Sequence, residues 1–304
     1  MSKKDKKEKE EKSAEGEVTY QKGAVRELAE VLLYGLALLM FFRIYVFQNF
    51  QIPTSSMENT LLIGDHITAN MFVFKNSSEL DKKILPFREI RRGDVVVFKF
   101  PGEETQDWIK RCIALPGDRF QMIQDRVYIN GEPLNEPYPF YKQERGPGDN
   151  DRDPNNRYYP LDYGIEPGLD NADPMFLQER TVTMEQIRAM TKRTLIERYR
   201  RRDGMNPDFL NGVLERLQAS PPETIPEGFY MMVGDNRNNS YDSTRWGLVP
   251  QELIEGRAWL IWWSYGEDVG SHQLKGKDLI MSYLRVPITF WTRTHWEKCF
   301  DLIK

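Results

Sequence analysis

The hydrophobic pattern divides the chain at about residue 50. Val31 to Phe42 reads VLLYGLALLMFF with no polar side chain outside Tyr34, Arg43 interrupts the run, and Ile44-Tyr45-Val46-Phe47 resumes it. At a rise of ~1.5 Å per residue the uninterrupted part spans only about 18 Å, short of the ~30 Å hydrocarbon core of a bilayer. From Leu28 to Phe47 the length suffices, and Arg43 near one end can extend its charge to the head groups. The pattern predicts a membrane anchor over 25–50; a buried core helix is the alternative. The lysines before the run and the aromatic end at Tyr45, Phe47 and Phe50 favour the anchor.

Beyond Gln51 the apolar positions come in short runs. Asp65–Phe74, Asp94–Phe100, Trp108–Leu115, Arg119–Ile129, Gly228–Val233 and Arg257–Trp263 are rich in Val, Ile, Phe, Tyr or Trp. Arg92-Gly93-Asp94, Pro116-Gly117-Asp118 and Asn130-Gly131 supply turns. Asn130-Gly131 after Val127-Tyr128-Ile129 is a hairpin signal. These runs predict antiparallel strands. Pro133 to Pro174 is rich in Pro, Gly, Asp and Asn and predicts an extended loop. Met184 to Gln218 predicts two helices divided by Gly204 and Pro207. Met184, Ile187, Met190, Leu195, Ile196 and Tyr199 form an apolar face.

Composition changes this picture at the ends. Residues 1–22 are nearly all Lys, Glu, Asp and Ser and cannot bury enough apolar surface to fold. Lysines and Arg26 before the anchor place the amino terminus in the cytoplasm and the rest outside. The net charge of −4 gives no nucleic-acid surface. Cys112 and Cys299, the only two cysteines, form no disulfide framework, and no Cys/His spacing suggests a metal or other cofactor.

The three histidines, His66, His272 and His295, leave few bases for a serine nucleophile. Pro53-Thr54-Ser55-Ser56 follows the anchor, and read alone it is a polar turn. His66 lies ten residues beyond Ser56, so a Ser–His pair is conceivable. Lysine can serve as base only when neutral, which requires an apolar pocket. In the run Trp108 to Leu115, alternation sets Lys110 on one face with Trp108, Cys112 and Ala114. An ordinary edge-strand lysine is the alternative. Trp246, Trp262, Trp263 and Phe50 suit either an interfacial rim or core packing; Trp291, His295 and Trp296 receive no assignment.

Four segments, taken together, resemble the type I signal peptidases, membrane-anchored Ser/Lys proteases. They are PTSSM at 53–57, RGDVVVF at 92–98, KRCIALPGD at 110–118 and GDNRNNSYDS at 234–243. The resemblance covers 25–130 and 225–265. It implies that Ser56 is the nucleophile and Lys110 the general base. It also implies an oxyanion hole formed by the Thr54 hydroxyl and the Ser56 backbone N–H, and a lysine oriented by Ser240. Asp242 then braces the site through an arginine. Thr244 follows Ser243 where the family has arginine, so Arg245 or Arg237 takes that part.

The implied fold class is mainly β: an antiparallel β-sheet catalytic domain behind one N-terminal transmembrane helix, with a partly helical insertion. The domains are a disordered tail (1–24), the anchor (25–50), the β core (51–132 and 225–283), the insertion (133–224) and a C-terminal tail (284–304). The implied partners are signal-peptide-bearing preproteins and the lipid bilayer of the bacterial inner membrane, with no nucleic acid and a monomeric chain. No cofactor is expected. A scaffold without activity and a soluble, self-cleaving Ser/Lys protease are the rival readings.

Overall fold

A computed structural model describes residues 23–41, 46–74, 87–139, 181–201, 207–266 and 275–304. The tail over 1–22 and most of the Pro133–Pro174 loop lie outside the described residues. The chain divides into two units, Met1–Ile44 and Tyr45–Lys304.

The first unit contains helix α1 (Ala24–Phe41). Arg26, Glu27 and Glu30 charge its first turns, and from Val31 to Met40 its large apolar side chains are exposed. Among the described residues no helix is long and apolar enough to cross a membrane. The carboxyl end of the expected 25–50 element is not helical: Phe47–Gln51 forms strand β1. The physical reason lies in the letters FQNFQ, whose polar residues pair with a neighbouring strand rather than continue an apolar helix.

The second unit is built on antiparallel pairing. The strands are β2 (Asp65–Asn70), β3 (Val95–Phe100), β4 (Glu103–Ala114), β5 (Phe120–Ile123), β6 (Arg126–Ile129), β7 (Glu132–Pro133), β8 (Phe229–Val233), β9 (Val249–Pro250), β10 (Ile254–Ser264) and β11 (Asp301–Leu302). The main sheet runs β1-β2-β10-β3-β4-β8-β9, with β11 on β10, and β5-β6-β7 form a second sheet. The main-sheet interior is apolar on both faces. Val95 and Val97 pack with Ile52, Met57 and Ile67, while Val96 and Phe98 pack with Cys112, Met232 and Trp246. That division follows the period-two alternation of the sequence. Trp246 is therefore a core residue.

Helices α2 (Met184–Arg201) and α3 (Pro207–Ala219) are no detached appendage. Met184, Ile187 and Leu195 join Leu210, Val213 and Leu217 against Met122, Val127 and Phe229. Arg188 fastens α3 by donating to the carbonyls of Leu217, Ser220, Pro221 and Thr224. The short helix α4 (Ser243–Trp246) precedes β9. Past β10, helix α5 (Lys277–Arg293) leads to β11.

Candidate active site

Ile52 and Met57 are both buried in the sheet core, and the chain between them must turn outward. Ile52 is pinned by its N–H to the Asp65 carbonyl and by its own carbonyl to the Gly64 N–H, both at 2.9 Å. Thr54 is extended, and Ser55–Met57 form a single 3-10 turn. That turn carries half-buried Ser56 into a cavity of about 740 Å³ lined by residues 50–57, 106–110, 239–241 and Arg245.

Lys110 enters the same cavity from β4, an interior strand between β3 and β8, so the edge-strand alternative does not hold. Its Nζ donates to Ser56 Oγ at 2.6 Å and to the Ile109 carbonyl at 3.0 Å. It makes no ion pair among the described residues. Burial pushes the amine down from its ordinary 10.5 to about 8; Asp242 and Asp235, through space, oppose this. The Trp108 ring at 5.4 Å also favours the charged form. Desolvation outweighs these attractions because the side chain is only 5% exposed.

The structure brings together some of the remaining candidates. Thr54 Oγ1 is 3.4 Å from Ser56 Oγ. Ser240 lines the cavity, but its buried hydroxyl has no hydrogen-bond partner among the described residues, and Lys110 does not reach it. Asp242 is fully buried and pairs with no arginine among the described residues. It accepts from Gly234 N at 3.1 Å, Thr244 N at 3.1 Å and Thr244 Oγ1 at 2.7 Å, capping α4. Thr244, where the family has arginine, thus supplies a hydroxyl to the carboxylate. Arg245 is exposed at the cavity and Arg237 pairs with buried Glu136 at 2.6 Å. His66 does not line the cavity; it stacks on Trp263, with ring centroids 4.8 Å apart.

Two features were not read from the sequence. One is the clamp that residues 234–239 place on the serine turn. Asn236 donates its backbone N–H to the Ser56 carbonyl at 3.2 Å and its amide to the Ser55 carbonyl at 3.1 Å and Glu58 at 3.0 Å. Asn239 donates to Ser55 Oγ at 3.1 Å. Gly234 makes this approach possible: a Cβ there would overlap Ser240 Oγ and lie 2.5 Å from the Ser56 carbonyl oxygen. Gly234→Ala is therefore expected to shift the turn and lower cleavage about 100-fold, the scale of a ~1 Å misplacement. Steady-state kinetics beside a wild-type circular dichroism spectrum check this.

The other is the buried pair behind the clamp. Arg111, pointing away from Lys110, meets Asp235 through Nε at 2.9 Å and Nη2 at 2.8 Å. Thr60 donates to the same carboxylate at 2.6 Å. Arg111 also reaches the Gly93 and Lys304 carbonyls. The signal was the position of each residue, Arg111 directly after Lys110 and Asp235 inside GDNR. Their mutual contact is tertiary and leaves no periodicity.

Among the described residues no group of three or more His, Cys, Asp or Glu could hold a metal ion, and both cysteines are free thiols. A serine hydroxyl against a dry amine, in an open apolar cleft, can perform acyl transfer.

Comparison with known proteins shows the family. The family described as "Signal peptidase, peptidase S26" matches residues 25–263. A Signal peptidase I of Pseudomonas aeruginosa is 32% identical over 242 residues, 76% of this chain and 69% of that one. A Signal peptidase I of Aquifex aeolicus is 30% identical over 251 residues, 79% of this chain and 84% of that one. A crystal structure of a signal peptidase I from Enterococcus faecalis, 24% identical, covers 56% of this chain and 97% of that one with a TM-score of 0.29. The chain belongs to the signal peptidase family, peptidase S26.

Proposed function

We propose that this protein is a membrane-anchored serine endopeptidase that removes amino-terminal signal peptides from exported preproteins with Ser56 as nucleophile and Lys110 as general base. The observation that carries the reading is the contact of 2.6 Å between a buried amine and a hydroxyl. With Lys110 neutral, the bond reverses its sense and Nζ accepts the Ser56 proton. Ser56 Oγ then attacks the scissile carbonyl carbon. The resulting ammonium returns the proton to the leaving amine, and an acyl-enzyme ester remains. Water, deprotonated by Lys110, hydrolyses that ester.

The oxyanion lies between the Ser56 N–H and the Thr54 hydroxyl. Removing one such donor costs ~10²–10³ in turnover, so Thr54→Val is expected to lower kcat by about that factor with little change in KM. Substrate side chains on the acyl side are small, held in shallow pockets by Ile52 and its strand neighbours. A monomer suffices, because one chain supplies both groups.

The leucine-rich surface of α1, exposed along Val31 to Met40, supports a single bilayer anchor continued by the apolar letters beyond it. The lysines before it support a cytoplasmic amino terminus, with the catalytic unit outside the bacterial inner membrane. Tethering enzyme and substrate to one surface raises their effective concentration. Incubating the purified chain with a preprotein tests the proposal: a shortened product with wild type, and none with Ser56→Ala or Lys110→Ala, is expected. Full processing by Lys110→Ala at pH 7 would exclude the base.

A further inference from the structure

Helix α5 lies past residue 263, where the family match ends. One side of its carboxyl end is fixed to the sheet. Tyr265 and Thr289 share a hydrogen bond at 2.5 Å, and Gly266 N donates to the Arg293 carbonyl at 2.8 Å. Trp263 Nε1 donates to Thr294 Oγ1 at 3.3 Å. The other side is bare. Ile280, Leu284, Ile288 and Trp291 recur at helical spacing as one stripe, and all are exposed, Ile288 by 81% and Trp291 by 74%. The stripe continues off the helix, where Trp296 stacks on Trp291 with centroids 5.3 Å apart. An apolar surface of this extent, held open in water, marks an interaction site.

Charge selects the occupant. Between residues 275 and 304 there are six Lys or Arg, at 275, 277, 285, 293, 298 and 304, against three Asp or Glu, at 278, 297 and 301. The excess is positive although the whole chain carries −4. Lys277, Arg285 and Arg293 lie along the helix that bears the stripe. A second copy would bring like charges together, whereas an anionic lipid surface neutralises them. Tryptophan at one end, leucine and isoleucine along the stripe and cations around it are the composition of a helix lying in the plane of a membrane interface.

We infer that α5 is an in-plane membrane contact: it seats Ile280, Leu284, Ile288 and Trp291 among the lipids of an anionic bilayer, with its cations at the head groups. The inference does not depend on the Ser56–Lys110 chemistry.

The test places a nitroxide on Ile288→Cys in the full chain carrying Cys299→Ser, reconstituted in vesicles with and without phosphatidylglycerol. The expected result is a label accessible to oxygen and shielded from a water-soluble nickel chelate on the anionic vesicles, with shielding weakened on neutral ones. Lys277→Glu with Arg285→Glu and Arg293→Glu is expected to return the label to water while preprotein cleavage persists. A label equally open to nickel on both vesicles overturns the inference. Spin–spin distances showing two α5 helices face to face also overturn it, in favour of a second copy. The readout is accessibility, so a chain that failed to cleave preproteins would leave this result standing, and the reverse.

Discussion

Replacing Lys110 with methionine is expected to abolish cleavage and to make the folded protein more stable. Both effects come from one cause. The folded chain holds this amine out of water, which pushes it from 10.5 to about 8. The unfolded chain imposes no such penalty. The folded form therefore binds the Lys110 proton more weakly, and below about pH 8 the native state carries the full disadvantage. That disadvantage shrinks as pH rises from about 8 to 10.5, where the amine is neutral in both states. Each tenfold change in proton affinity corresponds to about 1.4 kcal/mol, so methionine is expected to gain about 3 kcal/mol at pH 7.

Denaturant unfolding at pH 7 and near pH 11 checks the stability effect, with the gain vanishing at the higher pH. Equal stability of the two proteins at pH 7 would refute the account. On the proposed chemistry, activity is expected to follow the same titration in the other direction. Only about one molecule in ten holds a neutral Lys110 at pH 7, against roughly one in three thousand for a solvated lysine. In the wild type kcat/KM is therefore expected to climb through about pH 8 and then level off.

The second large effect is destabilising. Asp235→Ala is expected to weaken the fold by about 3–5 kcal/mol, the range for breaking a buried ion pair from one side. It leaves the Arg111 guanidinium, 1% exposed, without its counter-charge and removes the acceptor for Thr60. Against a total stability of ~5–15 kcal/mol, that loss is large enough to lower the yield of folded protein. Asp235→Ala with Arg111→Met is expected to recover part of it, since the double change removes the stranded charge. Chemical denaturation of both variants measures the difference. A single variant with an unchanged midpoint would show that the pair contributes nothing.

The sequence made the strands legible where alternation was strong. Asp94–Phe100 and Gly228–Val233 lie within a residue or so of β3 and β8. It was less informative where polar letters sit in a strand. Glu103 to Asp107 belong to β4 although the expected run began at Trp108, because Phe100, Lys99 and their neighbours supply the pairing. Helix α5 was hidden by Pro287, a residue that normally ends a helix. At the site, Ser56 and Lys110 stood out because a motif recorded them. The orientation of Asp242 did not: a threonine that donates to the capping aspartate occupies the place where arginine was expected. Strict alternation also fails after Cys112, where a register shift against β8 turns both Ile113 and Ala114 into one core.

The sheet order has a temporal consequence. The serine turn is strung between β1 and β2, while the amine stands on β4 beside β3. These two hairpins do not touch as neighbours; β10 lies between them and pairs with both β2 and β3. Because β10 begins only at Ile254, a growing polypeptide carries Ser56 and Lys110 long before it can align them. Synthesis order thus acts as a timer: a chain halted before Ile254 lacks the strand that joins the two hairpins, and on the proposed chemistry competence arrives only once β10 is threaded in.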